Sequence, residues 1–338
     1  MKRIAFSDIK EATRGSVCTE EIDGALVFHR FSADEREKYP PYDFEKLALK
    51  MPSSSGVTVV FETDATELSL SLVLRRASSR QLGCALDVLV DGKLVATCAR
   101  REPPNESGCY ALSETVALPK GEKRVTLVLP GLFSASIRSL SLSDGASFKP
   151  IKAKRRLLIY GDSITQGYDA SSPSNAYASR IALALDADAT NKAIGGEIYF
   201  PPLAEMDSGV ENAALILIAY GTNDWSHRIP LKELIQSARA FYTALRARHP
   251  LTPICVLSPI WRADAERTDT FPFRSLPDAL REAASGLPGV CVVDCFAFVP
   301  KDTALFADGS LHPNDEGFAP YTEGVLRALH TLYPSLFD

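Results

Sequence analysis

The hydrophobic period of this chain changes at residues 149–154, a basic, proline-bearing stretch with no periodicity of its own. Before it, short β-branched or alternating apolar–polar runs recur. Beyond it, short unbroken apolar runs alternate with segments of helical spacing. A chain written in two patterns builds two architectures. Its 338 residues leave room for both. The expected division is residues 1–150 and residues 151–338.

In the first part, residues 57–63 are β-branched and residues 67–74 alternate strictly at their start. Residues 87–96 read as two short strands about an Asp91-Gly92 turn. Residues 123–130 and 135–142 are further strands. Strands at this spacing, with turn residues between them, predict an all-β sandwich. In the second part, strands are expected at 156–160, 215–220, 254–258 and 290–294, with a weaker one at 189–191. Helices are expected at 175–185, 231–248 and 276–285, and a closing helix over 315–333, irregular near Pro320. Apolar strands joined by helical crossovers predict an α/β unit, a parallel sheet with helices on both faces.

Composition narrows the function. Lys and Arg number 37 against 42 Asp and Glu, a net charge of −5, and no basic block occurs. Nucleic acid is therefore not an expected partner. The first eight residues lack the apolar core of a secretory signal, and no stretch approaches a membrane span. A cytoplasmic protein with no membrane contact is expected. Of seven cysteines, Cys84, Cys98, Cys255, Cys291 and Cys295 lie in or beside strand-like runs, as reduced core cysteines do. Cys291 and Cys295 are too far apart for a C-x-x-C pair. Neither a P-loop, nor G-x-G-x-x-G, nor H-E-x-x-H is present, so no cofactor and no metal is expected.

The chemistry-bearing residues sit where the predicted strands end. Ser163 follows the apolar run Leu157, Leu158, Ile159, Tyr160. A serine there is placed for chemistry, although an N-cap serine would look the same. It becomes a nucleophile only beside a base. Among five histidines, His312 in the segment from Asp308 to Asn314 fits that base; His227 is the reserve. Asp308 could orient the imidazole, with Asp302 and Asp315 as weaker substitutes. Two further segments, residues 191–197 with Gly195-Gly196 and residues 221–224 with Asn223, could supply N–H donors to a developing oxyanion. The G-x-S-x-G elbow of the α/β-hydrolase type is absent.

With these blocks in this order, residues 156 to 330 resemble the SGNH, or GDSL-type, hydrolase superfamily. The blocks are Gly161-Asp162-Ser163-Ile164-Thr165, Asn191 to Gly196, Gly221-Thr222-Asn223-Asp224, and Asp308 to His312 followed by Pro313-Asn314. The resemblance implies a flavodoxin-like parallel sheet. It implies Ser163 as nucleophile, His312 as base, and the Ser163 amide, the Gly196 amide and the Asn223 side chain as oxyanion donors. The family spaces its acid and base as Asp-x-x-His, whereas three residues separate Asp308 from His312 here. Either the loop bulges to restore reach, or a backbone carbonyl holds the imidazole. An all-β domain ahead of such a hydrolase is similar to certain carbohydrate esterases with an N-terminal jelly roll. The implied reaction is hydrolysis of a short acyl ester, such as an O-acetyl group on a carbohydrate. A lysophospholipase or thioesterase, or a non-catalytic sugar-binding protein on the same scaffold, are the alternatives. Tyr168, Tyr199, Phe200, Trp225 and Trp261 lie near the blocks. Asp162, Trp225 and Trp261 are the candidate substrate contacts.

Overall fold

The computed structural model describes residues 1–39, 47–77, 84–100 and 108–338, with the backbone alone at Arg100. Two six-stranded antiparallel sheets make up the first part. One runs in the order Cys18–Ile22, Ala25–His29, Phe133–Leu142, Glu67–Arg76, Cys109–Ala117, with Lys2–Arg3 beside Phe133–Leu142. The other runs Lys149–Pro150, Thr58–Thr63, Lys123–Val128, Cys84–Val90, Lys93–Arg100, with Thr13–Arg14 beside Thr58–Thr63. Their inward residues interleave in one core: Leu68, Leu70, Leu72, Leu74 and Ile137 from the first sheet, Val59, Phe61, Leu86, Val88 and Leu127 from the second. The alternation along Glu67–Arg76 is what buries every second side chain. This is a β-sandwich. Asp91 and Gly92, with φ of 48° and 77°, close the Cys84–Val90/Lys93–Arg100 hairpin as the sequence predicts.

The sandwich part also holds two helices that strand periodicity does not reveal, Phe6–Ala12 and Ala33–Lys38. The second begins with a capping box. Ser32 Oγ accepts from the Glu35 amide at 3.1 Å, and the Glu35 carboxylate accepts from the Ser32 amide at 2.8 Å.

The second part is a five-stranded parallel sheet in the order Ala187–Asn191, Arg155–Gly161, Leu215–Ala219, Ile254–Leu257, Val290–Val293. In chain order this is 2-1-3-4-5, the flavodoxin-like arrangement. Helices Tyr177–Ala184 and Asp315–Leu332 bury their apolar stripes against one core, with Leu157, Ile159, Leu215 and Leu217. Helices Leu231–Arg248 and Leu276–Ala284 bury theirs against the other, with Leu158, Ile216, Ile218 and Val256. Strand order reverses between Arg155–Gly161 and Leu215–Ala219. The crevice outside the carboxyl ends of those two strands is where such a sheet receives a ligand.

The two parts are not merely adjacent. Phe31, Tyr39 and Met51 belong to the core of the parallel-sheet part. Lys192 and Glu35, both fully buried, form an ion pair across the junction. Arg14 and Arg124 both reach Asp186. Among the described residues no helix is long and apolar enough to cross a membrane.

Candidate active site

Strand Arg155–Gly161 ends in a turn that only glycine can start. A Cβ on Gly161 would lie 2.3 Å from Thr165 Oγ1. Asp162 follows in an extended conformation and caps the short helix Ser163–Gln166, its Oδ1 accepting from the Ile164 amide at 3.0 Å. Asp162 is thus buried in a capping role beneath the turn. Ser163 stands at the first helical position, where an amide has no intrahelical acceptor. Gly167, with φ of 96°, ends the helix.

Ser163 and His312 lie 149 residues apart in sequence, and their Oγ and Nε2 are 2.8 Å apart. On the other side of the imidazole, His312 Nδ1 is 2.7 Å from Asp308 Oδ2. The unusual spacing is resolved by the loop itself. Asp308 Oδ1 accepts from the amides of Ser310, Leu311 and His312 at 3.0, 2.7 and 3.1 Å, curling the segment into a tight turn that brings Oδ2 under the ring. Burial alone would raise the Asp308 carboxyl. The His312 ring and the three amides outweigh it and hold the group well below the usual carboxylate range. Tyr168 stacks on the imidazole, with ring centroids 5.7 Å apart and planes 26° from parallel.

The loop is stapled at both ends. The Ala307 amide donates to His312 O at 2.9 Å, and the Asn314 amide to Leu305 O at 2.9 Å. Asn314 then caps helix Asp315–Leu332 through the Gly317 amide. Asp302 and Asp315, the substitute acids, are occupied elsewhere. Asp302 caps a short 3-10 turn at Ala304, and Asp315 accepts from the Ser171 amide at 2.8 Å. His227 is exposed at the end of helix Thr222–Ser226.

The donor segments flank the serine strand on opposite sides. Asn191 pairs in register with Ile159, and Ala219 with Gly161. The Asn191 turn is tied to the serine helix: its Nδ2 donates to Thr165 O at 2.8 Å, and the Gly195 amide donates to Gln166 Oε1 at 2.8 Å. Gly196 has φ of 96°, and a Cβ there would meet Leu47 Cδ2 at 3.1 Å. Both facts require glycine. Asn223 is buried and donates one N–H to Glu197 O at 2.9 Å, which joins the two donor segments.

Two features were beyond sequence reasoning. Asp169, at φ of 66°, brings Oδ2 to within 3.6 Å of His312 Nδ1, a second carboxylate beside the imidazole. Lys50 and Arg30, from the sandwich part, donate to the backbone of residues 191–195. Their acceptors are distant carbonyls, for which sequence has no local signal.

Trp225 has no exposed surface. Its Nε1 donates to Phe271 O at 2.8 Å, and the Arg262 and Arg267 guanidiniums lie over its ring at 4.9 and 4.1 Å. This corrects the expectation that Trp225 contacts substrate; the indole is a core residue wedged under two cations. Trp261 is partly buried and meets Phe306 edge-on, with ring centroids 5.4 Å apart. Two clusters bring metal-ligand atoms together, Asp169/Asp308/His312 and Cys18/Glu20/His29. The first is the relay just described. In the second, Arg36 already lies 3.3 Å from Glu20 and 4.0 Å from Cys18 Sγ.

Residues 159–319, carrying all four blocks, match the model of the GDSL-like lipase/acylhydrolase family. The match lies within the α/β part and covers slightly under half of the chain. The whole chain resembles several solved structures in fold. A salicylyl-acyltransferase from a tetracycline biosynthetic pathway aligns with a TM-score of 0.80 at 24% identity, over 95% of this chain and 94% of that one. A family two carbohydrate esterase from Cellvibrio japonicus aligns at 0.66 and 16% identity, over 99% and 98%. Another, from Clostridium thermocellum and solved with cellohexaose, aligns at 0.64 and 15%, over 83% and 93%. No curated protein matches the chain in sequence.

Proposed function

We propose that this chain is a GDSL-type esterase and that it hydrolyses a short acyl ester, an O-acetyl group on a carbohydrate, through an acyl-Ser163 intermediate. The observation that carries the reading is the chain of contacts Ser163–His312–Asp308, at 2.8 and 2.7 Å, beside the turn that bears Gly196. His312 takes the proton as Ser163 Oγ bonds to the ester carbonyl carbon. Charge on the carbonyl oxygen is met by the amides of Ser163 and Gly196 and by Asn223 Nδ2. The intermediate collapses with His312 protonating the departing alcohol. Water then repeats the sequence in reverse and releases the acid. Asp308 holds the ring's tautomer and offsets its positive charge.

A carbohydrate alcohol is supported by the shared layout with two family two carbohydrate esterases, one of them bound to cellohexaose. The partly exposed Trp261 is the aromatic candidate for contact with a sugar. In this reading residues 1–150 are the accessory domain and 151–338 the catalytic one. The reach of Asp308 to the imidazole favours a catalytic reading over a non-catalytic scaffold. Acyl transfer to an alcohol acceptor is the second reading, favoured by the 0.80 likeness to the salicylyl-acyltransferase. Both use the same acyl-serine.

The test is rapid labelling by a serine-directed phosphonate together with turnover of acetylated sugars and a chain-length series of nitrophenyl esters. Wild type should label and prefer acetyl, and Ser163→Ala should do neither. Full activity in Ser163→Ala ends the proposal. A preference for long chains moves it to a lysophospholipase or thioesterase. Ester product formed with an added alcohol in place of free acid moves it to a transferase.

A further inference from the structure

The peptide unit joining Gly195 to Gly196 is gripped from the sandwich part. Lys50 Nζ donates to Gly195 O. The same ammonium lies 3.5 Å from where a Cβ on Gly196 would sit. Gly195 C=O and Gly196 N–H belong to one planar amide, with the two bonds pointing in opposite directions. Holding the oxygen therefore aims the N–H.

Lys50 is itself fixed. It ends the 3-10 turn Leu47–Lys50, and Arg30, fully buried, straps that turn to the donor segment. Arg30 Nη2 reaches Lys50 O and Met51 O at 3.3 and 3.4 Å, and its Nε reaches Ser53 O at 2.6 Å. Its Nη1 donates to Asn191 O, and to Ala193 O at 3.3 Å.

We infer that Lys50 is a positioning residue for the oxyanion donor, orienting the Gly195–Gly196 amide and strengthening Gly196 N–H as a hydrogen-bond donor. This rests on the proposed role of Gly196. An ammonium on the carbonyl forms a charge-assisted bond, draws electron density from the amide and makes the opposite N–H a better donor. The gain is felt where negative charge develops on substrate, so it belongs to kcat. The accessory part then contributes to turnover without touching the reacting atoms.

The test compares wild type, Lys50→Met and Lys50→Gln on nitrophenyl acetate. Lys50→Met should lose about tenfold in kcat with KM unchanged, less than removal of a whole donor. Lys50→Gln, which keeps a neutral donor, should lose less. Affinity for a boronate that forms a tetrahedral serine adduct should fall by the same factor as kcat/KM, with the melting temperature held. Unchanged kcat, or a raised KM alone, overturns the inference. A loss of kcat that tracks a falling melting temperature in both variants assigns Lys50 to the fold and overturns it too. Wild type that neither labels with phosphonate nor turns over would instead remove the proposed function itself.

Discussion

Asp308 divides its two oxygens between two tasks. One organises three amides of its own loop, and the other meets the imidazole. The spacing from His312 looks one residue too long on paper, yet it suits a turn closed on the carboxylate itself. Ser163, Gly196 and Asn223 were legible as candidates because each follows a strand in a recognisable block, and His312 because its block lies just before the last helix. The second carboxylate, Asp169, was not, since only a left-handed turn after Gly167 brings it to the ring. Asn223 spends one of its two amide hydrogens on Glu197 O, which fixes the orientation of the other. Asn223→Ala should lower kcat on nitrophenyl acetate by about 10²–10³ with little change in KM. Asp162 makes a different prediction. Burial, opposed in part by the Ile164 amide, pushes its carboxyl up to about 7 from 3.8. A group raised in the folded state stabilises fully below its unfolded pKa and loses that contribution as pH rises through the folded one. Stability should therefore fall between about pH 4 and 7 by up to roughly 4 kcal/mol from this group. Burial likewise raises Asp224, to about 6, in the same sense. Asp162→Asn keeps a capping oxygen, and thermal melts from pH 4 to 8 should show a shallower decline than wild type.

Among the elements, long periodic segments were legible in advance. Leu231–Arg248 runs over the expected span because its 18 residues carry a sustained apolar stripe of Leu234, Ala238, Phe241, Tyr242 and Leu245. Glu67–Arg76 and four of the parallel strands were equally readable, whereas Ala187–Asn191 showed only a weak signal at its last three residues. Strands Cys18–Ile22 and Cys109–Ala117 were not, being partly solvated and mixed in polarity, and Ala25–His29, though apolar and mostly buried, is too short to show a period. Helix Ala33–Lys38 is too short for a 3.6-residue period to show, although its Ser32…Glu35 cap was present in the sequence. Helix Asp315–Leu332 matters because it abuts the relay loop at its first turn. A Cβ on Gly317 would lie 2.2 Å from Leu305 O, whose carbonyl also takes the Asn314 amide. Gly317→Ala must push the loop or the helix aside. It should lower the melting temperature by several degrees, as a clash of about 1–3 kcal/mol does, and cut turnover with it. Melts and kcat measured on one preparation check this.

At the scale of the whole molecule, the change of pattern near residue 150 foretold two architectures but not how they are joined. The junction is made by side chains whose partners lie more than a hundred residues away. Arg30 serves backbone carbonyls of the donor segment, and Glu35 pairs with Lys192 at zero exposure. Burial lowers Lys192 to about 8 and raises Glu35, each shift opposed by the partner's charge. Removing one member strands the other in a dry environment. Lys192→Met should destabilise the protein by about 3–5 kcal/mol, and the double variant with Glu35→Leu should recover most of that loss. Urea unfolding of the two variants and wild type decides it.

Because Asp308 and His312 ride on one clamped loop between Leu305 and Asn314, the proposed base and the carboxylate that would orient it are placed as a unit. If that loop swings out, the general base and the group that orients it depart together. Grafted onto a related scaffold, the same ten-residue span would carry acid and base as one cassette.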